Sequence, residues 1–359
     1  MALSGNKGEW SELYAVLVLL AEGRLKIAAH DLSLTGDVYQ VVGVQRRFST
    51  GDVAYEIDLE NKRVIVTSGT EHTEIDLAEL DPAIKSVFTG LTKGSGLNFP
   101  IPEVESLLAR MRVHQLAAGG NLKADLEVLV RDTRSGELLR LAFSVKSMMG
   151  SPSTLLNASK VTNFRLFVPL GGESLEVLRS HDGSPSALVA HLMDGDHEIG
   201  SPVPVNPVLR QNLMLIDSRM DEIVGSMLLG YYSGAGSAVS EIVKWVSGRD
   251  PLKIAAYSDP DVFYKYKVQT MLSDFALAMA PGRKWDGTYT ANGGYLLVDK
   301  SGQLSCLPST DRDNFREYLF RSTRFETAST TRHQFGRVEL DEVTGKPYVN
   351  LNLQIRFKN

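Results

Sequence analysis

Two alternating runs restrict this chain more than any other feature: 122–131 (LKADLEVLVR) and 138–146 (LLRLAFSVK), joined through a turn that contains Ser135 and Gly136. Successive side chains of a strand point to opposite faces. Leu122, Ala124, Leu126, Val128 and Val130 therefore share one face of the first run, as Leu141, Phe143 and Val145 do on the second. A hairpin with one apolar face is the simplest structure that satisfies both runs. Its other face carries Asp125 and Glu127 from the first strand and Arg140, Ala142, Ser144 and Lys146 from the second.

An apolar sheet face needs a covering layer, and residues 6–21 (NKGEWSELYAVLVLLA) offer one, with apolar side chains on every turn. Asn6 and Glu9 have capping-box spacing, and Gly23 closes the helix. Runs at 37–44, 53–59 and 62–67 read as an antiparallel meander. Helices are expected at 74–88 and 102–117, with a Gly-rich loop at 90–98 between them and Pro102 opening the second. After the hairpin, SPSTLLNASK reads as a short helical segment that runs into a strand, TNFRLFVP. The stretch 170–205 is rich in Gly, Ser, Asp and Pro, which marks a linker or surface insertion. Helical patterns return at 205–230, 236–247 and 259–279; from Trp285 short strands alternate with one helix near 311–321, and LNLQIRF closes the chain at 351–357.

This order predicts a mixed α/β fold, a central sheet flanked by helices with additional helical and β-rich segments. At 359 residues there is length for two or three domains of roughly 150 residues each. The expected division is a core at 1–170, a linker and helical region at 171–284, and a β-rich region at 285–359 that folds back on the core. With 43% hydrophobic residues and no apolar run near the roughly 18 residues of a membrane span, the chain reads as globular. Its Met-Ala-Leu-Ser-Gly-Asn start has no basic stretch ahead of an apolar one, so no secretion is expected. A single cysteine, Cys306, excludes an intramolecular disulfide and a Cys-based zinc cluster, and points to a reducing compartment such as the cytoplasm. A net charge of −5 argues against a surface that is basic throughout, though not against a basic cleft.

On the polar face of the hairpin a carboxylate (Asp125), a hydroxyl (Ser144) and an amine (Lys146) project together. That set suits metal-assisted phosphodiester hydrolysis, in which charge must be neutralised and a water activated. Asp125 is placed to hold Mg²⁺, which keeps several waters and takes only one or two carboxylates. Lys146 is placed to orient or deprotonate the attacking water and to stabilise the pentacovalent charge. The same residues also suit a hairpin whose polar face is merely solvated. A second carboxylate is available from the first helix. Glu9 has a capping duty towards Asn6, whereas Glu12, one turn later, has none, so Glu12 is preferred as the second metal-linked acid and Glu9 is kept as the alternative.

The spacing resembles that of the PD-(D/E)XK nucleases, with Ser144 where the second strand's acid usually stands. Taken together, NKGEWSELY (6–14), ADLEVLV…AFSVKS (124–147), LLNASKVTNF (155–164), GGYLLVD (293–299) and LNLQIRF (351–357) resemble the HpaII family of type II restriction endonucleases over nearly the whole chain. The resemblance implies a restriction-endonuclease-like central sheet and sequence-specific, Mg²⁺-dependent cleavage of double-stranded DNA, with CCGG the family's best-known target. It implies nuclease roles for Asp125, Ser144 and Lys146, with Glu12 completing the site and Ser144 a family feature. It also implies a cognate DNA methyltransferase acting on the same site in the cell. A palindromic target would suit a two-fold homodimer. Alternatives are a structure-specific repair or junction nuclease with the same core, and a DNA-binding protein without catalysis.

Specific cleavage requires base contacts as well as phosphate contacts. Between Arg312 and Arg337 there are six Arg and three acids, a local excess of three positive charges in a chain of net charge −5. Within RSTRFETASTTRHQFG (321–336), Arg324 and Arg332, then His333, are the expected readers of guanine. An ordinary solvated loop has the same composition. In LLNASKVTNF, the polar residues Asn157, Ser159 and Asn163 follow the second strand and suit phosphate positioning at a helix N-terminus.

Overall fold

The computed structural model describes residues 3–48, 51–116, 123–133, 135–169, 174–194 and 199–358. Its centre is a nine-stranded sheet of β1 (Arg24–Ala28), β2 (Leu34–Phe48), β3 (Gly51–Asp58), β4 (Arg63–Ser68), β5 (Glu71–Asp76), β6 (Leu126–Asp132), β7 (Leu138–Ser147), β8 (Gly294–Val298) and β9 (Leu304–Pro308). The spatial order is β1-β9-β8-β7-β6-β2-β3-β4-β5. β2 pairs with β1 through its first half and with β3 through its second, so the pairings from β1 round to β2 close into a ring. Two pairs, β7–β8 and β9–β1, are parallel. The hairpin forms with Leu126 opposite Phe143 and Val130 opposite Leu139. Leu122, expected to open its first strand, lies outside the described residues.

The helix α1 (Lys7–Glu22) is apolar on nearly all sides and accordingly buried, with Trp10 and the run from Leu13 to Leu20 in the core. The capping box is present: the Asn6 side chain accepts from the Glu9 amide at 3.1 Å and Glu9 accepts from the Asn6 amide at 2.9 Å. At the other end Gly23 adopts φ 61°, the left-handed turn that a residue without Cβ makes most easily. α2 (Leu80–Lys93) lays Leu80, Ala83, Val87 and Leu91 into the same core.

A second core lies on the other side of the sheet. It is built from α3 (Pro185–Asp194), α4 (Pro207–Ile216), α5 (Met220–Tyr232), α6 (Val239–Arg249), α7 (Pro260–Leu277) and α8 (Arg312–Ser322), together with the paired strands Asn163–Phe167 and Pro347–Asn352. β8 separates the two cores: Leu296 and Val298 join the first, Tyr295 and Leu297 the second.

Several expectations are corrected. The meander has a fourth strand, β5, which takes residues up to Asp76 and delays the next helix to Leu80. The helix expected at 102–117 is shorter, a 3-10 turn at Pro102–Val104 followed by Glu105–Arg110, and Arg112 leaves it at φ 57°. SPSTLLNASK is not helical: Thr154–Leu156 pairs with Ile355–Phe357, which buries both Leu155 and Leu156, and Lys160–Thr162 forms a single 3-10 turn. The segment 205–230 divides at Asp217 into two helices. Within 170–205, whose residues 170–173 and 195–198 lie outside the described residues, Leu175–Arg179 and α3 bury Leu178, Leu188, Val189 and Leu192 completely. That stretch is packed against the second core rather than serving as a linker, because a polar composition masked a helical apolar stripe. Among the described residues no helix is long and apolar enough to cross a membrane.

Candidate active site

Where β6 begins beside β7, Asp125 precedes the ladder and is fixed by its backbone amide, which donates to the Phe143 carbonyl at 2.8 Å. Asp125 lies just outside the strand, between Ala124, which packs against the second core, and Leu126, which joins the α1 core. Asp125 Oδ2 accepts from the Val145 amide at 2.7 Å and from the Ser144 hydroxyl at 3.1 Å. Lys146 Nζ donates to Ser144 Oγ at 2.9 Å, so acid, hydroxyl and amine form one hydrogen-bonded chain. The Lys146 amine also lies 5.1 Å from the ring centroid of Tyr295, the β8 residue paired with Ser144.

Burial dominates the electrostatics here. It pushes the Asp125 carboxyl above its ordinary range, against the opposing pull of Lys146, the Val145 amide and Ser144. It pushes the Lys146 amine below the usual lysine range, although the carboxylates of Asp125 and Glu12 favour its charged form. Lys123, two residues before Asp125, is pushed down to about 8 by burial and by the charge of Lys146.

Glu12 reaches this region from α1 through Arg46, whose guanidinium stands 3.4 Å from its carboxylate. Arg46 is completely buried on β2; it also donates to the Leu116 carbonyl, and its Nε and Nη1 have no hydrogen-bond partner among the described residues. The charges of both Glu12 and Asp125 act on Arg46 and on Lys146, which ties the two acids to one electrostatic unit. Glu9, the alternative helix acid, is committed to the capping box. No group of three or more His, Cys, Asp or Glu side chains suited to a metal occurs among the described residues. Asp125 and Glu12 offer carboxylate oxygens, the donor type that a hard divalent cation accepts.

The residues expected to read DNA differ in how far they engage their own neighbours. Arg324, on the strand Thr323–Phe325, stands 3.8 Å from Glu326, which also pairs with Arg356. Arg332 is exposed on the single-turn helix Thr330–His333, where His333 is half-buried. Asn157 is exposed and Ser159 half-buried, its backbone amide donating to Thr162 Oγ1. Asn163 requires correction: it is buried, donates to the carbonyls of His333 and Gln334, and accepts from Asn352. Its amide anchors the 333–334 segment and is unavailable to a phosphate.

Sequence reasoning missed Arg46, Lys123 and Tyr295. Arg46 had a signal: Val44, Arg46 and Phe48 share the inward face of β2, and a charge at core parity is rare unless paired. Lys123 had one too, since it shares the alternation parity of Asp125 within the same run, whereas Tyr295 had none, because it meets Lys146 from a strand distant in sequence.

Comparison with known proteins identifies the family of the chain. A model of the HpaII restriction endonuclease family matches residues 6–357. The type II restriction enzyme HpaII of Haemophilus parainfluenzae is 33% identical over 356 residues, covering 99% of this chain and 98% of that enzyme. No solved structure matches. A restriction-family match over nearly the entire length, with both the helix and the hairpin inside it, makes this chain a member of the HpaII restriction endonuclease family.

Proposed function

We propose that the protein is a Mg²⁺-dependent type II restriction endonuclease that hydrolyses phosphodiester bonds of double-stranded DNA at a short G·C-rich site, with CCGG the first sequence to test. The observation that carries this reading is the Asp125–Ser144–Lys146 hydrogen-bonded chain beside the Glu12–Arg46 pair.

Asp125 and Glu12 are the carboxylates that hold the ion. When bound, Mg²⁺ supplies Lewis-acid neutralisation of charge at the phosphodiester. Ser144 fixes the position of the Lys146 amine through its hydroxyl. Burial lowers the cost of the neutral amine, so Lys146 is able to take a proton from the attacking water and then, as the ammonium, to stabilise the charge that develops on phosphorus. Ser144 in the usual acid position reduces the negative charge at the site and leaves Asp125 as the sheet's metal-holding acid. Arg332, exposed and preceded by Thr330 and Thr331, is the favoured guanine reader, with His333 next to it and Arg324 on the preceding short strand. Asn157 and Ser159 are assigned to backbone positioning. The protein acts as a homodimer on a palindromic site that a cognate methyltransferase protects.

Digestion of unmethylated plasmid DNA with Mg²⁺, followed by sequencing of the ends, tests this. A single motif at every end is the expected result. Scattered ends would replace the reading with that of a structure-specific nuclease, and a gel shift with no cleavage would replace it with that of a non-catalytic DNA binder.

A further inference from the structure

At the carboxyl ends of the parallel strands β7 and β8 lies a cavity of about 670 Å³, and Lys146 is among the residues that line it. Besides Lys146, the lining carries three cations from separate parts of the chain: Lys300 in the β8–β9 turn, Arg321 at the end of α8, and Lys358 after the last strand. Against them stands one acid, Asp299, whose carboxylate is engaged within the turn by the Ser301 amide and hydroxyl and the Gln303 amide.

The charge in this cavity is therefore incompletely compensated. Lys300 is exposed. The Lys358 amine donates to a neutral acceptor, the Arg321 carbonyl, at 2.6 Å. Arg321 pairs with Glu317, but its side chain is 64% exposed, and such surface pairs exchange at little cost. The walls between these cations are apolar, Leu297 and Phe357 among them, and serine hydroxyls interrupt them. Spaced cations and hydroxyls over apolar walls suit the alternation of phosphate and deoxyribose along a nucleic-acid strand.

We propose that this cavity takes the sugar–phosphate backbone next to the scissile phosphate, with Lys300 and Lys358 each contacting a phosphate of the strand being cut. The inference rests on the endonuclease reading above.

Neutralising a phosphate contact lowers the slope of log binding constant against log salt by about 0.9 on duplex DNA. Full-length protein in EDTA, titrated by fluorescence anisotropy against a labelled CCGG-containing duplex over a range of salt, reads this slope directly. Lys300→Ala and Lys358→Ala are each expected to reduce it by about 0.9, and the double variant by about twice that. Lys244→Ala, an exposed lysine on α6, serves as the control for general loss of charge. Slopes unchanged from the parent, or an equal fall in the control, would overturn the proposal, as would binding of inorganic phosphate by the parent but not the variants without any change in the DNA slope. A parent protein that never cuts DNA with Mg²⁺ would count against the endonuclease reading, while the slopes would still report separately on the cavity.

Discussion

The Glu12–Arg46 pair shows how a single residue can be both structural and chemical. Arg46 is fully buried, and its nearest compensating charge is the Glu12 carboxylate at 3.4 Å. Removing one partner of a buried pair commonly costs about 3–5 kcal/mol, because the other charge is left uncompensated. Glu12→Gln is therefore expected to lower stability by about 3 kcal/mol, and Arg46→Met in the same chain to restore part of it, a coupling that urea denaturation of both singles and the double resolves. Simple additivity would show that the pair does not hold this region together. Lys146 makes the complementary case. Its amine bonds Ser144 and faces Tyr295, so Lys146→Ala is expected to reduce the single-turnover cleavage rate by at least about a hundredfold while DNA affinity in Ca²⁺ changes less than about threefold. Parallel loss of binding and rate would assign the amine to ground-state phosphate contact.

Among the elements, α1 decides where the site stands. Its capping box fixes one end and Gly23 the other, so Glu12 projects from a helix that cannot slide or fray without unpacking Trp10 and Leu13. Gly23→Ala is expected to cost roughly 1 kcal/mol, since φ 61° strains any residue with a Cβ while the nearest side-chain atom, on Leu59, leaves room at 3.6 Å. Thermal denaturation measures this; an unchanged midpoint would mean that the left-handed turn is not needed. The hairpin behaves differently. β7 is flanked by β6 on one edge and by β8 on the other, and this second neighbour brings Tyr295 against the Lys146 amine.

For the whole molecule, the sheet is assembled from both ends of the chain. β8 and β9 come from residues near 300 yet contribute Leu296, Val298, Leu304 and Cys306 to the same core as α1. Residues 1–170, expected from sequence as a nuclease core, would lose those strands, leaving β7 with one open edge and β1 without its parallel neighbour. An isolated 1–170 fragment is thus expected to show no cooperative urea transition and to be digested rapidly by trypsin, in contrast to the full chain. A cooperative transition in the fragment would establish it as an independent domain.

What the sequence determined by itself is local. Period-two alternation set the faces of the hairpin, so Asp125, Ser144 and Lys146 were legible as one group. Asn6, Glu9 and Gly23 marked both ends of α1, because caps depend on neighbours within one turn. Tertiary structure alone decided which distant residues complete that group. Arg46 and Tyr295 join it through strand pairings with segments remote in sequence, and no periodicity records those pairings. The same reason explains Asn163, whose polar side chain looked available until Asn352 and the 333–334 carbonyls enclosed it. Local propensity acts through adjacent backbone, whereas burial and charge pairing arise only when remote segments meet.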